Sequence, residues 1–234
     1  MPTNDLSLRT RLEQVEHRIS AALARAGRER GLLTLVAVTK KFSAGRIREA
    51  YEAGIRDFGE NYVQEFAGKH GDLVDLEGCR FHLIGHLQSN KANLAANLFQ
   101  VIHTVDSAKL IERLERAFEQ SGRQVDALIE VKLSAEGTKT GVSSEELPQL
   151  LAVASKCAHV RITGLMTMPP WSEDAEESRP YFRRLSELAA RHSLTQLSMG
   201  MSNDFEVAIE EGATIIRVGT AIFGARPKPA GTGQ

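Results

Sequence analysis

Two hydrophobic patterns alternate along this chain. Leu6, Leu8, Leu12, Val15, Ile19, Ala22 and Leu23 recur at helical spacing with Glu and Arg between them, which predicts an amphipathic helix. It should stop at 26–27, where Gly27 suits a helix C-cap. From there on, short runs of consecutive apolar residues predict strands over 33–39, 55–59, 80–84, 101–105, 127–133, 162–168, 196–199 and 215–218. Helical patterns lie between them: 44–53, a helix opening at 61 or 62, 90–97, and one carrying Leu110, Ile111, Leu114, Ala117 and Phe118. The next opens on Ser143-Ser-Glu-Glu146, a capping-box pattern. After a Pro-rich loop, Tyr181, Phe182, Leu185, Leu188 and Ala189 mark another helix, and 203–211 the last.

Strands made of unbroken apolar runs and separated by helices are parallel strands covered on both faces. A closed barrel and an open doubly wound sheet both satisfy that. Eight βα repeats in 234 residues favour the single (β/α)8 barrel, for which about 250 residues are typical. We expect one domain over 1–226, including the N-terminal helix, and a loose tail over 227–234.

Composition narrows the function classes. The net charge of −1 comes from interspersed signs, so neither nucleic acid nor a membrane surface is an expected partner. Cys79 and Cys157 form no CxxC pair and the seven histidines no HExxH, so neither a disulfide framework nor a zinc site is expected. There is no apolar run of about 18 residues and no signal-peptide pattern, and the expected location is the cytoplasm.

The chemistry collects at one end. In a β/α barrel the site is built from the carboxyl ends of the strands. Lys40 closes the first apolar run, and an ammonium there is costly to bury. Schiff-base chemistry is the usual reason to accept that cost; the alternative is a lysine in solvent beside Lys41. Asn61 follows the second strand, His86 follows the third, with His82 before it, and Asp106 follows the fourth. Gly200 and Ser202 precede the last predicted helix, and Gly219-Thr220 follow the eighth strand, which suits a phosphate. Arg217 sits in the apolar run Ile-Ile-Arg-Val-Gly. It either faces inward and needs an acceptor, or faces outward and pairs with Glu206 or Glu210. His82 reads as a ligand contact or a satisfied core histidine. Lys132 and Lys139 either accept a second anion or are solvated. Trp171, in the loop 168–174, is a lid, a docking site or a residue packed over the rim.

Six segments together resemble the YggS/PROSC family of pyridoxal phosphate homeostasis proteins. They are Val36-Ala-Val-Thr-Lys40, Phe58-Gly-Glu-Asn-Tyr-Val-Gln-Glu65, Phe81-His-Leu-Ile-Gly-His-Leu-Gln-Ser-Asn-Lys91, Gly164-Leu-Met-Thr-Met168, Leu197-Ser-Met-Gly-Met-Ser202 and Val218-Gly-Thr-Ala-Ile-Phe-Gly224. The resemblance implies a barrel of the alanine-racemase N-terminal type with pyridoxal 5'-phosphate (PLP) held as an aldimine on Lys40. By the same likeness Ser202, Gly219 and Thr220 would hold the phosphate, Arg217 would face the pyridine nitrogen, and Asn61 and His82 would touch the ring.

That implies a non-catalytic protein of vitamin B6 homeostasis. Two points agree with it. The racemase's second base comes from a further domain that is not expected after the eighth strand, and an arginine at the ring nitrogen makes a poorer electron sink. The alternatives are a weak PLP-dependent racemase or lyase, and a PLP-free barrel isomerase. Recipient PLP-dependent enzymes are the expected partners, and a monomer the expected state.

Overall fold

The computed structural model describes residues 6–134 and 140–225; Lys139, Arg226 and the segment 227–234 lie outside them. Strands β1 (Thr34–Val38), β2 (Asp57–Glu60), β3 (Arg80–Leu83), β4 (Val101–Val105), β5 (Val125–Glu130), β6 (Val160–Met166), β7 (Gln196–Ser198) and β8 (Ile215–Val218) form a closed parallel barrel in chain order. Closure comes from β1 pairing with β8 over Thr34↔Ile215 to Ala37↔Val218. This is the (β/α)8 barrel the alternation predicts. A helix follows each strand in turn: α2 (Ala44–Glu52), α3 (Val63–His70), α4 (Ala92–Leu98), α5 (Ala108–Ser121), α6 (Leu147–Ala154), α7 (Arg179–Arg191), α8 (Phe205–Glu210) and α9 (Thr220–Phe223). Among the described residues, no helix is long and apolar enough to cross a membrane.

The main core lies between strands and helices. Helix α5 shows how the sequence builds it. Ser107 Oγ accepts from the Leu110 N–H at the start, and Gly122 ends the helix in the left-handed region at φ 63°. The buried stripe Leu110, Ile111, Leu114, Ala117 and Phe118 faces the barrel, and burying Leu114 or Phe118 contributes about 2 kcal/mol each. Inside the barrel, Val36, Val101, Leu128, Met166 and Ile215 form a separate apolar cluster.

Before β1, helix α1 (Leu8–Ala26) buries Leu8, Val15, Ile19, Ala22 and Leu23 and ends at Gly27. It docks on α8. Arg18 Nε lies 2.6 Å from Glu206 Oε1, with its guanidinium 4.4 Å from the Phe205 ring centre, and Arg25 pairs with Glu210 at 2.7 Å.

Several boundaries differ from the sequence pattern, each for a local reason. Strands β5 and β6 begin at Val125 and Val160, two residues early, because Asp126 and Arg161 are register partners that form a 2.6 Å ion pair. Strand β2 begins at Asp57, because the Ile55 N–H still bonds Ala50 O in the turn after α2. The capping box is made, with Ser143 N–H to Glu146 Oε2 at 2.8 Å and Glu146 N–H to Ser143 Oγ at 3.3 Å, but α6 itself starts only at Leu147. Helix α8 starts at Phe205, because Asp204 Oδ1 accepts from the Met201 N–H and holds 201–204 as a turn.

Candidate functional site

Lys40 follows β1 and its backbone is held from below. Thr39 N–H donates to Gly59 O, and Thr39 Oγ1 donates to the fully buried Glu60 at 2.6 Å. Lys69 Nζ reaches Thr39 O (3.1 Å), Phe42 O (3.0 Å), Glu60 (2.8 Å) and Glu65 (3.2 Å). Burial raises the Glu60 carboxyl, with Lys69 and Thr39 pulling it down. Lys41 takes a left-handed φ of 65°, unusual for a residue with a Cβ, and its N–H donates to Glu65 at 2.6 Å. Lysine 69 is thus spent on carbonyls and carboxylates around the loop that carries Lys40.

On the other side stand β7 and β8. Gly200, at φ 90°, lets the chain pass close to α8; a Cβ there would lie 2.5 Å from Ala208 Cβ. Ser202 Oγ accepts from the N–H groups of Gly219 and Ala221, both at 3.3 Å. Its own hydroxyl proton therefore remains available to a ligand. Asn203 Nδ2 donates to Ser172 O at 2.9 Å and ties the Trp171 loop to this wall.

Arg217 points inward and is 3 % exposed. Its Nη1 donates to Ser198 Oγ at 2.5 Å and its Nη2 to Thr167 O at 3.1 Å. Burial lowers its pKa to about 10, against the pull of Asp204 and Glu130, so it stays charged at neutral pH. The outward alternative is closed, since Glu206 and Glu210 pair with Arg18 and with Arg25 and Arg179.

These pieces meet. Lys40, Ser202, Arg217, Gly219 and Thr220 line one cavity of about 290 Å³ at the carboxyl ends of the strands, rimmed by Trp171. A larger cavity of about 640 Å³ lies at the amino ends, where Arg161 pairs with Asp126 and His159 bonds Glu115 of α5. We place the candidate site in the smaller one.

Two expected contacts are not brought there. Asn61 is half-buried at the end of β2, outside the cavity lining, with its carbonyl so close to Gly85 that a Cβ there would lie 2.3 Å away. His82 is a corrected expectation. It is 2 % exposed, bonds Asp57 and His103 at 2.9 Å each, and borders a separate cavity of about 230 Å³ at the amino ends. It is held there because Asp57 opens β2 at that end. His86 is 48 % exposed and lies 3.4 Å from Asp106. Of the pair weighed for a second anion, Lys139 lies outside the described residues.

Sequence alone does not single out Ser198, Asp204 or His103. His103, in the strand Val-Ile-His-Thr-Val, carries the same signal as Arg217, a polar side chain inside an apolar run. No group of three or more potential metal ligands occurs among the described residues.

Known proteins are similar to this chain over nearly its whole length. A family model for the alanine racemase N-terminal domain matches residues 10–227. The pyridoxal phosphate homeostasis protein of Aquifex aeolicus is 44 % identical over 223 residues, covering 92 % of this chain and 97 % of that one. Among solved structures, PipY of Synechococcus elongatus, with PLP bound, is 42 % identical at a TM-score of 0.78, covering 88 % of this chain and 100 % of that one. An alanine racemase of Clostridium difficile, 12 % identical, shares the fold at a TM-score of 0.74 over 95 % of this chain and 57 % of its own.

Proposed function

Since the chain belongs to the alanine racemase N-terminal domain family and, within it, to the pyridoxal phosphate homeostasis proteins, we propose that it binds PLP at the Lys40 cavity and serves PLP homeostasis without turning over a substrate. The observation that carries this reading is the convergence of an amine, a buried guanidinium and a hydroxyl-and-glycine turn on one cavity.

The donor set fits the group. The cofactor supplies a carbonyl carbon reactive toward amines and an electron-poor ring. Lys40 is the amine that would hold it. Ser202 brings an uncommitted hydroxyl proton, and Gly219, with no side chain, lets the backbone after β8 line the same cavity. With Thr220, these residues would receive the phosphate. Arg217 offers only donors toward a ring nitrogen, so it disfavours protonation there. Asn61 and His82, which lie outside the cavity lining, are not among the contacts of this reading.

The cavity also supports a carrier over an enzyme. Among its described lining residues, no histidine, tyrosine or cysteine opposes Lys40 as a second proton-transfer group, and Asp204 is committed to Met201 N–H and Ser178 Oγ. A guanidinium at the ring nitrogen weakens the electron sink as well. We read the closed barrel, which has no free sheet edge, as a cytoplasmic monomer that releases cofactor to recipient PLP-dependent enzymes.

The test is PLP loading, borohydride reduction and peptide mapping. An adduct on Lys40 and no turnover of amino acids is the expected result. An adduct scattered over surface lysines would end the cofactor reading. Robust turnover abolished by Lys40→Ala would replace the carrier with a racemase or lyase.

A further inference from the structure

Arg217 is one end of a hydrogen-bonded row that crosses the barrel interior. Its Nη1 donates to Ser198 Oγ at 2.5 Å, and Ser198 Oγ lies 2.8 Å from His103 Nδ1. His103 Nε2 lies 2.9 Å from His82 Nδ1, and His82 Nε2 lies 2.9 Å from Asp57 Oδ1. The row runs from β8 through β7, β4 and β3 to β2, and from the cavity of Lys40 to the cavity at the amino ends. Ser198, His103 and His82 are fully or almost fully buried.

The two ends settle where the protons sit. A guanidinium can only donate, and an ionised carboxylate can only accept. Burial lowers both imidazoles toward neutrality; at His82 the charge of Asp57 opposes this and Arg80 adds to it, and at His103 the neighbouring His82 and Arg217 add to it. Burial would raise Asp57, but His82 and Arg80 hold it low. Asp57 therefore accepts the His82 Nε2 proton, and His82 Nδ1 must accept from His103 Nε2. His103 Nδ1 must then accept from the Ser198 hydroxyl, whose oxygen accepts from Arg217. Every donor points from the mouth to the floor, and both histidines are Nε2–H tautomers.

We propose that Ser198, His103 and His82 are positioning residues that fix the guanidinium of Arg217 against the cofactor ring, with Asp57 setting the direction of the row from the far end of the barrel. This rests on the reading of the Lys40 cavity as the PLP site. Asp204 and Glu130 act on Arg217 only through their charge; the row alone orients its Nη1 edge.

The experiment has an arm that needs no cofactor. Nitrogen-15 NMR of the cofactor-free full chain should show His82 and His103 as neutral Nε2–H tautomers that do not titrate between about pH 5 and 8. A protonated His103, or one with its proton on Nδ1, overturns the direction of the row. In the PLP-loaded chain, Asp57→Asn, far from the cofactor, should weaken PLP binding about fivefold and shift the pH dependence of its visible absorbance. His103→Phe should weaken it about tenfold, and His103→Gln, which can donate and accept, should recover part of that. Unchanged affinity and spectrum in both Asp57→Asn and a folded His103→Phe overturn the proposal. If His103→Phe fails to fold, Asp57→Asn and the NMR decide. If the unaltered chain takes no PLP on Lys40, the functional reading fails, and the NMR still tests the row.

Discussion

At the amino ends of the strands, Glu115 on α5 accepts from the N–H groups of Ala158, His159 and Val160 and from the His159 ring, all within 3.2 Å. Arg161 and Asp126 close on each other beside it, as do Arg80 and Asp57. At the carboxyl ends, Ser202 keeps a hydroxyl proton uncommitted, and the lysine and the buried guanidinium share a cavity. The same βα repeat builds both ends. The floor pairs its charges within the fold and so stabilises it, while the mouth gathers a lysine, a buried guanidinium and a hydroxyl on one cavity.

Substitutions at the two ends should therefore separate binding from stability. The largest effect expected is Lys40→Ala: loss of the borohydride-trapped PLP adduct, with a melting temperature close to that of the parent chain. A large fall in melting temperature would make Lys40 structural. Gly200→Ala tests whether the mouth also carries a structural position. It places a Cβ 2.5 Å from Ala208 Cβ at φ 90°, and should cost about 3 kcal/mol in denaturant unfolding.

At the floor, Glu115→Gln should cost about 1–2 kcal/mol at neutral pH and leave PLP affinity unchanged. Its pH dependence has a definite sign. Burial alone would raise this carboxyl, but the His159 ring and three backbone N–H groups bring it down to about 2 from an ordinary 4.5. A depressed carboxyl stabilises the fold fully above the ordinary value, and this is lost as pH falls from 4.5 through about 2. The gap between parent and Glu115→Gln should close over that window; a gap constant with pH would refute the account. The smallest effect is expected from Trp171→Ala. Trp171 is 76 % exposed at the rim, and unchanged PLP release and delivery would remove the lid and docking ideas.

The barrel was legible because parallel strands buried on both faces must be unbroken apolar runs, and eight of them alternate with helical patterns. The convergence of Lys40, Ser202, Arg217, Gly219 and Thr220 was legible because strand ends share one face of a barrel. The surroundings of His82 were not. Its partners Asp57 and His103 lie 25 and 21 residues away in the chain and reach it only across neighbouring strands of the formed sheet. The early starts of β5 and β6 were hidden for a related reason, since Asp126 and Arg161 look like loop residues until they are set side by side.

The docking of α1 on α8 has a consequence for the order of events during synthesis. Arg18 and Glu206 are 188 residues apart, and Arg18 also reaches the carbonyl of Ser202. Helix α1 thus waits for the segment that carries α8 before it meets its partner, as β1 waits for β8. Contacts of such separation form late, after the entropy of closing the chain has been overcome. A nascent chain that carries β1 but not yet β8 leaves the barrel unclosed, so the cavity shared by Lys40, Arg217, Gly219 and Thr220 takes shape only as folding ends.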